Sequence, residues 1–176
     1  MRGAGPGGRL WDGVVDWLAG ADVGEPAAVD MAELLDSVSG PPIVAVRGAV
    51  GIGVASVVAA LRAHPVGRAW SVVADEGPAP RVDADAVVTV TNDPGAVARP
   101  GEVVAHPRGR AGSGISLDDA HGPASGAVDP LAAAVSALVA AGVLEDVRRR
   151  RLERGVAAIA VARPVVRDEL EDLLWP

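Results

Sequence analysis

Hydrophobic positions along the chain follow two different periods. Leu10, Val14, Trp17 and Leu18 recur at helical spacing, so residues 10–19 predict a helix. Met31, Leu34, Leu35 and Val38 do the same for the next segment. There Asp30 with Glu33 reads as a capping box, and Gly40 followed by Pro41-Pro42 stops the helix. The period then changes. Ile43 to Val46 is a continuous apolar run of the kind that suits a strand buried on both faces. Trp70 to Ala74, Ala86 to Thr91 and the weaker Glu102 to Ala105 repeat that theme, and Val54 to Ala63 between them reads as a helix ended by Pro65. Residues 107–127 carry Gly, Ser, Asp and Pro and read as a loop. Asp129-Pro130 opens a long helix through Leu144. A charged helix runs on to Arg163, Pro164 breaks it, and a last helix ends at Trp175.

This alternation predicts an α/β fold, with a small, mostly parallel sheet, flanking helices and a C-terminal helical hairpin. Three segments are expected: 1–40, a Gly-rich tail with two short helices; 41–128, the α/β core; and 129–176, helices packing on that core. No internal repeat is visible.

Composition narrows the chemistry. Among 176 residues there is no Cys, Lys, Phe, Tyr or Gln, and all 16 basic residues are Arg. Thiol nucleophiles, thiolate metal sites, Schiff-base amines and phenolic acids are therefore excluded. Ala (34) and Val (30) must supply most of the core, because Trp, with 4 copies, is the only aromatic residue type. Small side chains remove less area from water per residue. This usage resembles that of GC-rich, actinobacterial-type bacteria. A formal charge of -7 argues against a nucleic-acid partner. The longest apolar run, Leu131 to Leu144, falls short of the ~20 residues of a membrane span. The first eight residues lack the apolar stretch of a signal peptide. A cytoplasmic protein without membrane insertion is expected.

One segment has the form of a binding motif, Val44-Ala45-Val46-Arg47-Gly48-Ala49-Val50-Gly51-Ile52-Gly53-Val54-Ala55-Ser56. A strand feeds a glycine loop, and the loop opens a helix. Such a turn aims backbone N–H groups and the positive helix end at one spot, which suits an anion. The segment resembles the phosphate-binding loop of P-loop nucleotidases, whose pattern is Gly, four residues, Gly, Lys, then Ser or Thr. Gly48 and Gly53 fill both required glycine positions, and Gly51 fits a common extra one. Val54 stands at the lysine position and Ala55 at the hydroxyl position, and Ser56 comes one residue late, about 100° around the helix.

Further on, Val72 to Glu76 is similar to an acidic strand end of Walker-B type. Asp83 to Thr91 resembles the strand after the switch region in GTPase-like folds. Val103 to His106 stands where such folds read the base, without the Asn-Lys-x-Asp residues that do so. The resemblance spans roughly residues 43–145. It implies a reduced, degenerate P-loop fold with a vestigial nucleotide or phosphate site at Gly48, Gly51, Gly53, Val54, Ala55 and Asp75. It implies no catalytic residue, no bound metal and no cofactor. The implied function is that of a regulatory or scaffold protein, partnered by an active nucleotidase or by its own copy. Weak nucleotide or phosphate binding without hydrolysis is the alternative.

Two rival readings share these residues. In a dinucleotide fingerprint, Gly48 and Gly53 take the first and third glycine positions, Val50 crowds the second, and Asp75 stands near where a ribose-binding acid belongs. That would make the chain a small NAD(P)-binding protein. The glycines also suit a plain tight turn. Elsewhere, Asp118, Asp119 and His121 with His106 are metal-ligand candidates beside the plainer reading of a solvated loop. Asp83 and Asp85 read as a strand-start cap. Residues 145–172 hold seven Arg and seven acids, which fits a solvated, self-paired helix face or a docking surface. Trp175 is a candidate anchor or, equally, a Trp that closes the core.

Overall fold

The computed structural model describes residues 8–22, 24–107, 115–117 and 128–175. They fall into two compact units, Pro41–Ala141 and Met1–Gly40 with Gly142–Pro176. The first is built on five parallel strands: β1 (Ile43–Gly48), β2 (Ser71–Glu76), β3 (Ala86–Val90), β4 (Glu102–His106) and β5 (Ile115–Ser116). Their order is β2-β1-β3-β4-β5, so β1 and β3 meet where the chain reverses its direction of travel across the sheet. Alternation sorts the side chains by face. Val44, Val46, Val72, Val88, Val90 and Ala105 all join one apolar cluster. Against it lie α3 (Val54–Ala63) and α4 (Val128–Leu138), held through Val57, Leu61, Leu131 and Val135. Arg62, in the last turn of α3, donates from Nε and Nη2 to the Val72 carbonyl at 3.0 and 2.6 Å and ties the helix to β2.

The connections after β2 and β3, residues 77–85 and 91–101, contain no helix. Crossovers between parallel strands are usually helical, and a helix would satisfy its own backbone. Here side chains take that task. Asp85 Oδ2 accepts the Ile43 N–H at 2.8 Å, at the start of the neighbouring strand β1 rather than of the strand that Asp85 precedes. Asp93 accepts from Gly95 N at 2.9 Å, and Glu102 accepts from Arg99 N at 3.0 Å.

The second unit is helical. α1 (Arg9–Gly20), α2 (Pro26–Ser39), α5 (Ala141–Ala162) and α6 (Arg167–Leu174) share a core of Val14, Met31, Leu152, Val156, Ile159 and Leu170. Arg148 and Arg151, one turn apart on α5, reach the open carbonyls at the end of α2. Arg148 Nη2 lies 2.6 Å from Gly40 O, and Arg151 Nη1 lies 3.4 Å from Ser37 O. Cationic donors at a helix C-terminus satisfy its last carbonyls and oppose its dipole.

The α/β class, the parallel sheet and the helical C-terminal pair match the sequence expectation; several details differ. The helix through residue 31 starts one turn early, with Pro26 in its first turn, and uses no side-chain cap. Asp30 therefore lies inside α2, where its Oδ2 takes both Nε and Nη2 of Arg163. Ile115–Ser116, expected within a loop, forms a fifth strand beside β4. The long helix from residue 129 stops at Leu138, and a second begins at Ala141. The chain also divides differently from the three expected segments. α4 packs on β3 and β4, whereas α5 and α6 share their core with α1 and α2. In the arginine run, Arg148 and Arg151 are buried at 6% and 5% exposure, while Arg149 pairs with Asp146 in solvent. Among the described residues no single helix is long and apolar enough to cross a membrane.

Close approach at two glycines gives a graded test. A Cβ on Gly67 would stand 1.8 Å from the Leu61 carbonyl oxygen, which is backbone and cannot turn aside. A Cβ on Gly155 would meet the Leu34 side chain, with Cδ1 and Cδ2 at 2.5 Å and Cγ at 3.0 Å, and that side chain can move. Gly67→Ala is expected to destabilise by about 3 kcal/mol. Gly155→Ala is expected to cost about 1 kcal/mol, because strain of about 2 kcal/mol is offset by about 1 kcal/mol of helix propensity. Urea unfolding of the two variants measures the difference; equal losses would contradict the assigned contacts.

Candidate functional site

The glycine loop leaves β1 at the carboxyl edge of the sheet, where β1 and β3 diverge. Its three glycines have separate reasons. Gly51 and Gly53 adopt φ of 82° and 105°, which L side chains rarely adopt, and Gly53 is the N-terminal cap of α3. Gly48 is needed for space: a Cβ there would lie 2.8 Å from Ile52 Cγ2, 2.9 Å from Val54 Cγ2 and 3.0 Å from the Val90 carbonyl. The turn closes through Ile52 N to Ala49 O at 3.2 Å, and helical bonding starts with Val57 N to Gly53 O at 3.1 Å.

Gly48, Gly51, Gly53, Val54 and Ala55 lie in this turn and the start of α3. Their side chains bring no charge. Val54 is 1% exposed and belongs to the apolar cluster beneath α3. Ala55 is exposed, and α3 has no side-chain cap bond. Val50, expected to crowd a ligand, is 81% exposed and turns outward. What the loop can offer chemically is the backbone N–H groups of the first turn of a ten-residue helix.

Asp75 is turned to the sheet's other face. It and Arg47 are register partners on β2 and β1, and Arg47 Nε donates to Asp75 Oδ2 at 2.8 Å. The same carboxylate accepts from Arg81 N at 3.1 Å and from Val82 N at 3.5 Å, while Arg47 Nη2 donates to Val82 O at 2.7 Å. Burial alone would raise the Asp75 carboxyl. The Arg47 hydrogen bond, the Arg81 and Val82 N–H groups and the Arg47 charge outweigh it and hold the carboxyl below its ordinary value of 3.8. The network continues across the face: Thr89, the register partner of Arg47 on β3, donates from Oγ1 to Glu102 Oε1 on β4. These four side chains line a cleft of about 500 Å³ between the two helix-free connections. Sequence reasoning missed the row. Its signals were an Arg inside the apolar run 43–48 and Thr89 inside the run 86–90.

His106 ends β4 at 3% exposure. Its Nδ1 lies 2.9 Å from the Thr91 carbonyl, which can only accept, so Nδ1 carries a hydrogen and the buried Nε2 has no hydrogen-bond partner. His64 Nε2 meets Asp129 Oδ1 at 3.0 Å and links the end of α3 to α4. Asp118, Asp119 and His121 lie outside the described residues. Among the described residues no three His, Asp or Glu side chains are grouped to hold a metal ion.

No family model, curated protein or solved structure matches the chain. The fold and the site define a class only: a parallel α/β sheet with a glycine turn at its carboxyl edge. That strand order serves doubly wound sheets of unrelated function.

The Asp75 clamp gives a pH-dependent prediction. A carboxyl held low in the folded state stabilises fully above its unfolded value, and the contribution is lost as pH falls through the folded value. Urea unfolding from about pH 5 down to about pH 2 should show the native chain losing more stability than Asp75→Asn does. At neutral pH, Asp75→Ala should destabilise by about 3 kcal/mol, because it leaves Arg47 without its partner. Parallel pH profiles for the native chain and Asp75→Asn would assign the clamp no role.

Proposed function

We propose that this chain is a non-catalytic, P-loop-like protein that works as a regulatory or scaffold subunit through protein contacts. Its partner is an active nucleotidase or a second copy of itself. The observation that carries the reading is the placement of Val54. Phosphoryl transfer needs a cation on the phosphates and a held Mg²⁺. The residue at the cation position is sealed in the apolar core, with its Cγ2 against Gly48, and the hydroxyl position is Ala55. The neighbouring cation, Arg47, is spent on Asp75 and Val82. Asp75 in turn accepts from Arg47 and two backbone N–H groups, so it is poorly placed for Mg²⁺ or for the ribose of a dinucleotide.

A second reading has one observation in its favour. The first turn of α3 follows two positive-φ glycines without a side-chain cap, and its amides remain a weak anion acceptor. Calorimetry with GTP, ATP and NAD separates the two. The scaffold reading expects no heat with any of them. Heat with GTP and ATP but no turnover would favour the weak binder. Phosphate release in the presence of Mg²⁺ is expected to stay below about 10⁻⁴ s⁻¹, the scale of an unassisted GTPase. Faster Mg²⁺-dependent release would overturn both.

A further inference from the structure

In the helical unit, α1, α5 and α6 leave a groove of about 750 Å³ between them. Its apolar lining is Leu10, Ala157, Leu173 and Leu174, with Leu173 Cδ2 packed close against Gly13. Trp175 stands at its edge with 83% of its surface exposed. An indole left in water forgoes most of the burial that makes Trp the strongest common anchor of protein interfaces.

We propose that this groove is the contact surface for a second copy of the chain, each copy seating its Trp175 in the other's groove about a two-fold axis. Two observations select that occupant. The rim carries both signs of charge: Arg9 and Arg154 against Asp12, Glu153 and Asp172. Among the described residues Arg9, Asp12, Glu153 and Asp172 make no ion pair within their own chain. A two-fold operation can bring the Arg of one copy's mixed rim against the acids of the other's, whereas a partner of uniform charge would meet repulsion from one of the two signs. The chain's overall charge of -7 opposes self-association, so a face of mixed sign is where two copies can approach. The same patch also holds both halves of the contact, a projecting indole and a recess to receive one.

The face spans single turns of three helices, and each Trp buries about 200 Å². The interface therefore lies at the small end of specific contacts, with a Kd of about 10 µM. The proposal names one partner within the scaffold reading above, and it stands or falls apart from nucleotide binding.

Sedimentation equilibrium of the full chain from about 1 µM to about 1 mM brackets the expected dissociation constant. The native chain should pass from monomer to dimer. Trp175→Ala should raise Kd about 30-fold without changing the far-ultraviolet dichroism, because an exposed side chain carries little of the fold. Arg9→Glu with Arg154→Glu should also weaken the dimer, by removing the opposite sign from the rim. Acrylamide quenching of Trp175, taken as the difference between native chain and Trp175→Ala, should fall as concentration rises. Monomer throughout, a Trp175→Ala dimer as tight as the native one, or an indole shielded at every concentration would each overturn the proposal. Calorimetric heat with GTP would overturn the scaffold reading and leave the dimer standing; a monomer without nucleotide heat would do the reverse.

Discussion

The sheet unit depends on one buried carboxylate. A parallel strand pair needs a crossover, and here the crossover from β2 to β3 has no helix to satisfy its backbone. Asp75 replaces that helix. One charged group takes the N–H groups of Arg81 and Val82, and its partner Arg47 takes the Val82 carbonyl. The connection is thereby fixed on its donor side to β2 and on its acceptor side to β1. The arrangement is favourable because neither charge stands alone: Asp75 is buried, but it has a cation and two amides within reach. Thr89 and Glu102 repeat the device for the next connection, with Glu102 also taking Arg99 N.

The core imposes a second constraint. Val and Ala side chains are short, so strands and helices must come close before their surfaces meet. Glycine supplies that closeness at Gly48, where Ile52, Val54 and the Val90 carbonyl crowd one Cα. The same need appears on α5, where Gly155 admits Leu34 of α2. In a core this short of aromatic surface, dispersion depends on contact distance more than on side-chain size. The glycine loop therefore has a packing role that does not require a ligand.

The alternating and helical periods were legible because they are imposed by burial. Val54–Ala63 and strands β1 to β4 follow directly from apolar runs. What the pattern could not reveal was long-range pairing. Asp30 and Glu33 have the spacing of a cap, yet Pro26 starts the helix earlier and Asp30 serves Arg163 instead. Two residues of β5 are too few to set a period, and only the edge of β4 makes them a strand. Arg148 and Arg151 look like part of a solvated run until α2 presents carbonyls to them. At the candidate site the glycine positions were readable from spacing. The direction of Asp75 was not, since β2 puts successive side chains on opposite faces and one residue of register decides which face an acid serves.

That register bears on function. Arg47 immediately precedes Gly48, so the chain carries a cation within one residue of its glycine turn. A side chain on a strand cannot serve both faces. The odd-numbered position of β1 directs Arg47 to the face where Asp75 waits, while the even-numbered Val46 enters the core under α3. The first helical residue that could have replaced it, Val54, faces that same core. The structural tasks of the two positions thus compete with phosphate binding. Arg47 is needed to hold a crossover without a helix, and Val54 to seat α3 on the sheet. The loop opens α3 without a side-chain cap, while the side chains nearest to it stabilise the fold.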